Sequence, residues 1–341
     1  MISRAPRLRL TFPRFAAMLL AAAFAFAALP VAHAADVTLR ITLQLPLKSH
    51  LGQNLLLFKE EVEKVSNGEI NVEIYDSAQL YRDSEVPQAV GSGQIEMGVA
   101  SLTRYVGEIP GVDVFYMPFL LNSEEKVRGA VAPGSEVRKL IDDAIANTGS
   151  HVLWWQAYGS VILLSNDAPI ATPDDMKGKK ARVFGKTLGT WVETVGGVPT
   201  LISGSEQFLA YQRGTVDIGM TGVSGVQSRS LWDVMDTITE VNVADIEFIV
   251  VVNNDFWNGL TDQQRGWITD AARTAESDVR NRVSQIEADA YAAAEKNGMS
   301  VYKLTESDLE KWKAASQPVI EEWLSSAGDL GQKVYDAAKK L

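Results

Sequence analysis

The six residues Gly93-Gln94-Ile95-Glu96-Met97-Gly98 return later in the chain as Gly214-Thr215-Val216-Asp217-Ile218-Gly219. Each copy follows a helical pattern, so its first glycine can end that helix in the left-handed region before a short strand begins. Helix, glycine and strand also follow one another by chance in many α/β proteins. Together with the length of the chain, the repeat favours two similar lobes. Ligands of open α/β sheets bind at strand ends, which makes Ser101 and Thr221 candidate contacts.

The segments around the repeat have the alternation of an α/β protein. Residues 37–44 and 69–75 alternate apolar and polar side chains, and residues 52–65 between them place apolar side chains on one helical face. This strand, helix, strand order predicts a parallel pair of strands. Further strands are predicted at residues 152–156, 181–184, 216–220, 248–253 and 300–304.

A helix of unusual length is predicted near the end of the chain. It starts at Thr261, where Gln264 completes a capping box, and runs without proline to Asn297-Gly298. Some 36 residues extend roughly 54 Å, well beyond the roughly 30 Å of a small domain. Such a helix crosses both lobes, unless it is broken near Arg280.

These patterns predict two mixed-sheet domains joined by a hinge. Lobe I is expected to hold residues 35–158 and about 248–285, and lobe II residues 159–247 and about 286–305. Residues 306–341 are expected to form C-terminal helices that pack back on the lobes. No linker rich in proline, glycine or serine separates the lobes, so continuous strands through the hinge would permit closure around a ligand.

The first 34 residues have the pattern of a secretory signal peptide. Basic residues between Arg4 and Arg14 precede an apolar stretch at residues 15–30, which ends in the small-residue motif Ala32-His33-Ala34. The alternative is an uncleaved membrane anchor. We expect cleavage, export to the periplasm and a mature chain that is not embedded in the membrane.

The composition excludes several classes of partner. The chain has no cysteine, which removes disulfides and thiolate sites, and 46% of its residues are hydrophobic. Without the four arginines of residues 1–34, it carries 28 basic and 43 acidic side chains, a formal net charge of −15. This charge disfavours nucleic acid and anionic membranes. An anionic ligand would need a local basic group; otherwise the ligand is not an anion.

Catalytic signatures are weak. The three histidines, His33, His50 and His151, are too few for a histidine metal site, and we interpret His50 and His151 as ordinary packed or surface residues. No nucleophile elbow, dinucleotide fingerprint or phosphate-binding loop is present in the sequence. We predict no catalytic residues, no metal and no cofactor. An exported lyase or hydrolase acting in the same cleft remains the alternative.

Arg182 is the candidate with the clearest chemistry. It lies between Ala181 and Val183 in a predicted strand, where an inward-pointing guanidinium needs a partner. A ligand carboxylate would provide one, because guanidinium and carboxylate form two parallel hydrogen bonds. A structural salt bridge to an interior acid is the alternative.

Aromatic residues close to Arg182 in sequence suggest an apolar surrounding for the ligand: Trp155, Tyr158, Phe184 and Trp191. An aromatic or aliphatic monocarboxylate would fit such a cleft. Aromatic residues at this density also occur in ordinary protein cores.

The chain resembles the C4-dicarboxylate-binding (DctP-like) solute-binding proteins of tripartite ATP-independent periplasmic (TRAP) transporters. The resemblance covers essentially the whole mature chain and includes Ser66-Asn67-Gly68, Ser77-Ala78-Gln79-Leu80, the two copies of the repeat and the run from Pro173 to Val183. The long helix is a further family feature, and it would be out of place in a receptor of the ATP-driven class.

The resemblance implies a bilobed periplasmic-binding-protein fold and the capture of a small organic acid for a membrane permease. It implies that Arg182 binds the carboxylate of the ligand. By similarity, the other contacts fall on Asp83, Ser101, Phe184, Gly185 and Thr221. The expected partners are the small acid and the TRAP permease subunits, and the receptor itself is expected to be a monomer.

Overall fold

The computed structural model describes Met1, residues 37–166 and residues 168–341. Apart from Met1, the predicted signal peptide lies outside the described residues. The strands of the described part are β1 Val37–Thr42, β2 Ile70–Tyr75, β3 Met97–Ser101, β4 Ser150–Ser165, β5 Lys180–Val183, β6 Val198–Leu201, β7 Gly219–Gly222, β8 Thr237–Glu240, β9 Asp245–Asn253 and β10 Ser300–Lys303. Its α-helices are α1 His50–Val65, α2 Val86–Gly91, α3 Glu124–Val131, α4 Glu136–Ile145, α5 Lys186–Thr194, α6 Gln207–Gln212, α7 Val223–Arg229, α8 Asn254–Gly259, α9 Asp262–Lys296, α10 Glu306–Ser326 and α11 Gly328–Ala338.

The first group of strands has the order β2-β1-β3-β9-β4. β1 is parallel to β2 and to β3, whereas β9 runs antiparallel to β3 and to residues 150–160 of β4. Helix α1 connects β1 to β2 and buries Leu55, Phe58 and Val62. The predicted parallel strand, helix, strand unit is therefore confirmed. We use lobe I for these strands together with helices α1 to α4.

The second group of strands shares β4 with the first. Residues 161–165 of β4 pair with β7 and β8, and β8 is parallel to β10. β5 and β6 form a parallel pair, which joins this group where the amide of Arg182 donates to the carbonyl oxygen of Ile218 at 2.8 Å. We use lobe II for β5 to β8, β10, residues 161–165 of β4 and helices α5 to α7.

Several strands differ from their predicted bounds, and β4 and β7 show the physical reasons most clearly. β4 is far longer than the predicted residues 152–156. The prediction ended early because Gly159, with a φ of 105° at a register shift, interrupts the alternation of apolar and polar side chains in the middle of the strand. β7 begins after the predicted residue 216, because the amides of Asp217 and Ile218 donate instead to the carbonyl oxygen of Lys180. The first glycines of the repeat follow α2 and α6 as predicted, with φ of 74° at Gly93 and 62° at Gly214.

Helix α9 crosses both lobes without a break. Thr261 caps it in a capping box with Gln264, and it continues for 35 residues, a length of about 52 Å. It packs on α1 and β4 in lobe I and on α7 and β10 in lobe II. The alternative of a helix broken near Arg280 is wrong, and the long crossing helix is confirmed.

The chain thus has a bilobed α/β fold with a shared strand and a crossing helix. Two segments join the lobes: Gly159 and Ser160 of β4, and residues 241–244, which lead from β8 to β9 and bond to the next residue of β4, Val161. We call these two segments the hinge. Helix α10 packs on α5, and α11 packs on α4. The residue ranges predicted for the two lobes remain predictions. No helix in the described part of the chain is long and apolar enough to cross a bilayer.

Candidate functional site

A cavity lies where strand ends of the two lobes meet. Its empty volume is about 320 Å³, part of which is open to solvent. Lobe I contributes Ser101 at the end of β3, and lobe II contributes Arg182 on β5 and Thr221 on β7. The predicted contact residues that line it are Asp83, Ser101, Tyr158, Arg182, Phe184 and Thr221. Six of the candidate residues are therefore brought together around one space.

Arg182 is only 3% exposed, and its partners within the protein are neutral. Its Nε donates to the carbonyl oxygen of Ile202 at 3.0 Å, and its Nη1 donates to that of Met220. The Phe184 ring centroid lies 5.1 Å from its Cζ. Burial lowers the pKa of Arg182 to about 10, so the guanidinium remains charged at neutral pH.

The alternative interpretation of Arg182, a structural salt bridge, is wrong for the described residues. Its side-chain hydrogen bonds within the described residues go to backbone carbonyl groups, and no described carboxylate forms an ion pair with it. The acid that lines the same cavity, Asp83, pairs instead with Arg104. A buried cation is thus left without a counter-ion from the described chain.

Asp83 and Ser101 are bound to each other. The Oδ2 of Asp83 accepts hydrogen bonds from Ser101 Oγ at 2.9 Å and from Arg104 Nε at 2.8 Å. Asp83 Oδ1 is buried without a described hydrogen-bond partner. The arrangement neutralises Arg104 and holds it at the edge of the cavity.

Arg229 is the other arginine of the cavity. Its Nη2 donates to Tyr158 Oη and to Thr221 Oγ1, both at 3.1 Å. Its Nε is buried and has no hydrogen-bond partner among the described residues. No described acid forms a salt bridge with Arg229. The acid that lines the cavity, Asp83, pairs with Arg104 instead.

Sequence reasoning did not identify Arg104 and Arg229. Arg104 lies in a short 3-10 helix just after Ser101, and Arg229 is the last residue of α7, the helix that follows Thr221 and β7. A basic residue in the last turn of a helix ordinarily complements the helix dipole, so Arg229 carried no distinctive signal. The one indication in the sequence was that Arg104 and Arg229 both follow a strand end that was predicted to contact the ligand.

Trp155 and Trp191 do not line the cavity, which corrects their prediction as ligand contacts. Trp155 is buried in the lobe I core, where its ring lies 5.4 Å from that of Phe115 and its Nε1 donates to Asp142. Trp191 stacks on Trp312 of α10 at 5.0 Å. Both indoles therefore stabilise packing within the protein, and closeness to Arg182 in sequence did not translate into closeness to the cavity.

His50 packs beside the cavity and provides a pH-dependent prediction. Its ring lies 5.2 Å from that of Tyr158, and its Nε2 donates to the carbonyl oxygen of Ala157 at 3.0 Å. Burial lowers the pKa of His50 from 6.5 to about 4. Between these values the unfolded chain binds a proton that the folded protein excludes. The free energy of unfolding should therefore fall with decreasing pH, by up to about 1.4 kcal/mol per pH unit from this residue.

His50→Gln should remove this contribution while keeping a donor for Ala157. Urea unfolding of both proteins from pH 7 to pH 4 measures it. Other titrating groups contribute equally to the two proteins, so the difference between the two slopes isolates His50. Equal slopes would contradict the prediction.

The chain is similar in sequence and in fold to known solute receptors. It is 27% identical over 282 residues to the C4-dicarboxylate-binding periplasmic protein DctP of Rhodobacter capsulatus, covering 81% of this chain and 83% of that protein. The solved structure of DctP7, an extracytoplasmic solute receptor of Bordetella pertussis binding pyroglutamic acid, matches with a TM-score of 0.84 and 21% identity over 89% of this chain and 99% of that chain. A TRAP periplasmic solute binding protein of Sulfurospirillum deleyianum with bound succinate matches with a TM-score of 0.83 and 22% identity, over 88% and 99% of the two chains.

A family model matches most of the chain. The model describes bacterial extracellular solute-binding protein, family 7 (DctP), and it matches residues 43–326. The match spans both lobes, α9 and all of α10. Because this family consists of binding proteins, it decides against the enzyme that the sequence left open. The chain belongs to the bacterial extracellular solute-binding proteins of family 7.

Proposed function

We propose that this chain is an exported receptor that captures a small organic acid through its carboxylate and delivers it to the membrane permease of a TRAP transporter. The observation that carries the proposal is Arg182, a buried guanidinium whose hydrogen bonds go to neutral carbonyl groups. Burying a charge without a partner is costly. A carboxylate entering the cavity would remove that cost and gain charge-assisted hydrogen bonds.

Closure of the lobes around the ligand follows from the contacts across the cavity. Ser203 Oγ of lobe II donates to Gln44 Oε1 of lobe I at 3.2 Å. Arg82 and Glu206 form a pair at 3.7 Å across the rim, with side chains 55% and 52% exposed. Exposed pairs of this kind contribute little. A ligand held by residues of both lobes would therefore supply most of the preference for the closed state.

The location and assembly of the receptor are part of the proposal. We propose export to the periplasm, cleavage of the signal peptide after Ala34 and action as a monomer. The basic and apolar pattern of the first 34 residues supports export. The periplasmic origin of the similar DctP of Rhodobacter capsulatus points in the same direction.

The size and lining of the cavity favour a small acid. Its empty volume of about 320 Å³ includes space that is open to solvent, so the enclosed part of the cavity suits only a small ligand. The expectation of an aromatic or aliphatic monocarboxylate depended partly on Trp155 and Trp191, which lie outside the cavity. The names of the similar proteins mention C4-dicarboxylates, pyroglutamic acid and succinate. We propose an acid of this size for the present chain.

Calorimetry with matched acids and amides tests the proposal. The probes are succinate, pyroglutamate and butyrate, each compared with the neutral amide that has the same carbon chain. We expect saturable binding of at least one acid and none of its amide, because the amide carries no charge for Arg182. Equal binding of acid and amide, or no binding of any acid, would overturn the proposal.

A further inference from the structure

The first turn of helix α5 in lobe II is not capped by its own segment. Its N-cap residue is Gly185, which has no side chain to accept a hydrogen bond from that turn. The first four amide groups of a helix have no partners within the helix, and Ser, Thr, Asp or Asn at the N-cap ordinarily accepts from one of them. Ser135 and Thr261 cap α4 and α9 in this way. The start of α5 therefore needs an acceptor from elsewhere in the protein.

Asp113 of lobe I is that acceptor. It lies in the 3-10 helix Pro110–Tyr116, between β3 and α3. Its Oδ2 accepts hydrogen bonds from the amide of Thr187 at 3.3 Å and from Thr187 Oγ1 at 2.7 Å. A carboxylate at this position also interacts favourably with the dipole of α5. A helix of lobe II is thus capped by a side chain of lobe I.

The glycine at position 185 fits the same arrangement. A Cβ atom placed on Gly185 would lie 2.5 Å from Thr103 Oγ1, which is shorter than real contacts of a Cβ atom. Thr103 belongs to the 3-10 helix Leu102–Tyr105, which follows β3 in lobe I. The side chain of Thr103 therefore occupies the space that a capping side chain at position 185 would need. Close approach of the two lobes leaves the capping of α5 to Asp113.

Burial of Asp113 has a cost that this contact does not fully offset. The side chain is completely buried, and its Oδ1 has no hydrogen-bond partner among the described residues. Burial raises the pKa of Asp113, and the hydrogen bonds from Thr187 oppose this effect. When the lobes separate, water can solvate the carboxylate in place of Thr187. The contact therefore contributes to the closed state without holding an empty receptor closed by itself.

From these contacts we infer that Asp113 is a positioning residue for lobe closure, which caps α5 in the closed receptor and releases it when the lobes open. The inference rests on the proposed function, in which the lobes close around a small acid. Asp113 does not line the cavity. It acts through α5, which follows Arg182 and Phe184 in the chain. Closure thus completes the helix beside the strand that carries Arg182.

Replacing Asp113 tests the inference, with the tightest of succinate, pyroglutamate and butyrate as the ligand. Asp113→Ala should bind this acid at least about fivefold more weakly, the effect of losing one helix cap. The loss should arise mainly from faster release, measured by stopped-flow tryptophan fluorescence. Thermal unfolding without ligand should change little, because the open receptor does not make this contact.

Two further variants separate capping from packing. Asp113→Asn keeps an acceptor for Thr187 and buries no charge, so it should bind the acid at least as tightly as the native protein. Thr187→Val removes the shorter hydrogen bond from the side of lobe II and should weaken binding in the same direction as Asp113→Ala.

Ser135→Ala is the matched control. It removes a cap whose donor, the amide of Arg138, belongs to the same lobe. The control should show the opposite pattern, with a lower melting temperature of the unliganded protein and unchanged affinity and release.

The outcomes distinguish this inference from the proposed function. Native affinity and release in Asp113→Ala overturn the inference and leave the proposed function intact. A fall in the melting temperature of unliganded Asp113→Ala as large as that of Ser135→Ala also overturns it, because the contact would then persist in the open receptor. Equal weakening in Asp113→Asn and Asp113→Ala overturns capping as the cause. No binding of any of the three acids by the native protein overturns the proposed function itself.

Discussion

Replacing Arg182 with alanine is expected to abolish capture of the acid that the native protein binds. Truncating one partner of a buried charge pair costs about 2–5 kcal/mol, which corresponds to a loss of affinity of roughly 30-fold or more. The effect should be at the upper end here, because Arg182 is 3% exposed, whereas the other cation of β5, Lys180, is exposed to solvent. Calorimetry with the tightest acid of the panel measures it.

The variants around this position define the cause of the loss. Arg182→Lys keeps the charge but cannot donate to Ile202, Met220 and a ligand in one plane, so it should restore only a small part of the affinity. Arg213→Ala is the matched surface control and should bind as the native protein does. The fold should survive in Arg182→Ala, because removing an uncompensated buried charge offsets the two lost hydrogen bonds. Unchanged affinity would remove Arg182 from the site.

The parts of the fold that followed from the sequence are those with long or repeated patterns. Helix α9 was predictable because Thr261 and Gln264 mark its start and no proline interrupts it. The strand ends at Ser101 and Thr221 were predictable because glycine residues mark them in both lobes. The full length of β4 was not, because Gly159 breaks the alternation in the middle of a strand that changes its partners there.

The site could be predicted from the sequence where a charged residue stands among apolar neighbours. Arg182 conflicts with the apolar strand around it, and this conflict identified it. Arg229 fits its place in the last turn of α7, so no such conflict identified it, although its side chain lines the same cavity. Trp155 shows the converse, since an indole near Arg182 in sequence lies in the lobe I core, bonded to Asp142. Side-chain direction at this range depends on tertiary packing rather than on local sequence.

Replacing Arg280 with methionine is expected to cause the largest loss of stability. Arg280, in the middle of α9, forms a two-pronged salt bridge with Glu247 of β9, at 2.6 Å and 2.7 Å. The side chains are 11% and 0% exposed. The pair attaches the crossing helix to a strand that leaves the hinge. Removing one partner of a buried pair leaves the other charge buried alone, which costs about 3–5 kcal/mol.

The pH dependence of this loss identifies its cause. Burial already raises the pKa of Glu247 above its ordinary value of 4.5, against the opposing effect of Arg280. In Arg280→Met the pKa should rise further, so the folded variant holds a proton that the unfolded chain releases above about pH 4.5. The free energy of unfolding of the variant should therefore fall further behind the native protein as pH rises from 4.5 to 7. Denaturation with urea across this range measures the difference.

A double variant and a control variant complete the experiment on Arg280. Arg280→Met combined with Glu247→Met should recover most of the lost stability, because an apolar pair leaves no buried charge. Arg282→Met is the matched control on the same helix. It removes an exposed pair with Asp278, whose side chains are 59% and 32% exposed, and should cost less than about 1 kcal/mol. A deficit in Arg280→Met that is independent of pH, or a double variant no more stable than the single one, would show that packing of the arginine stem, rather than the unpaired charge of Glu247, causes the loss.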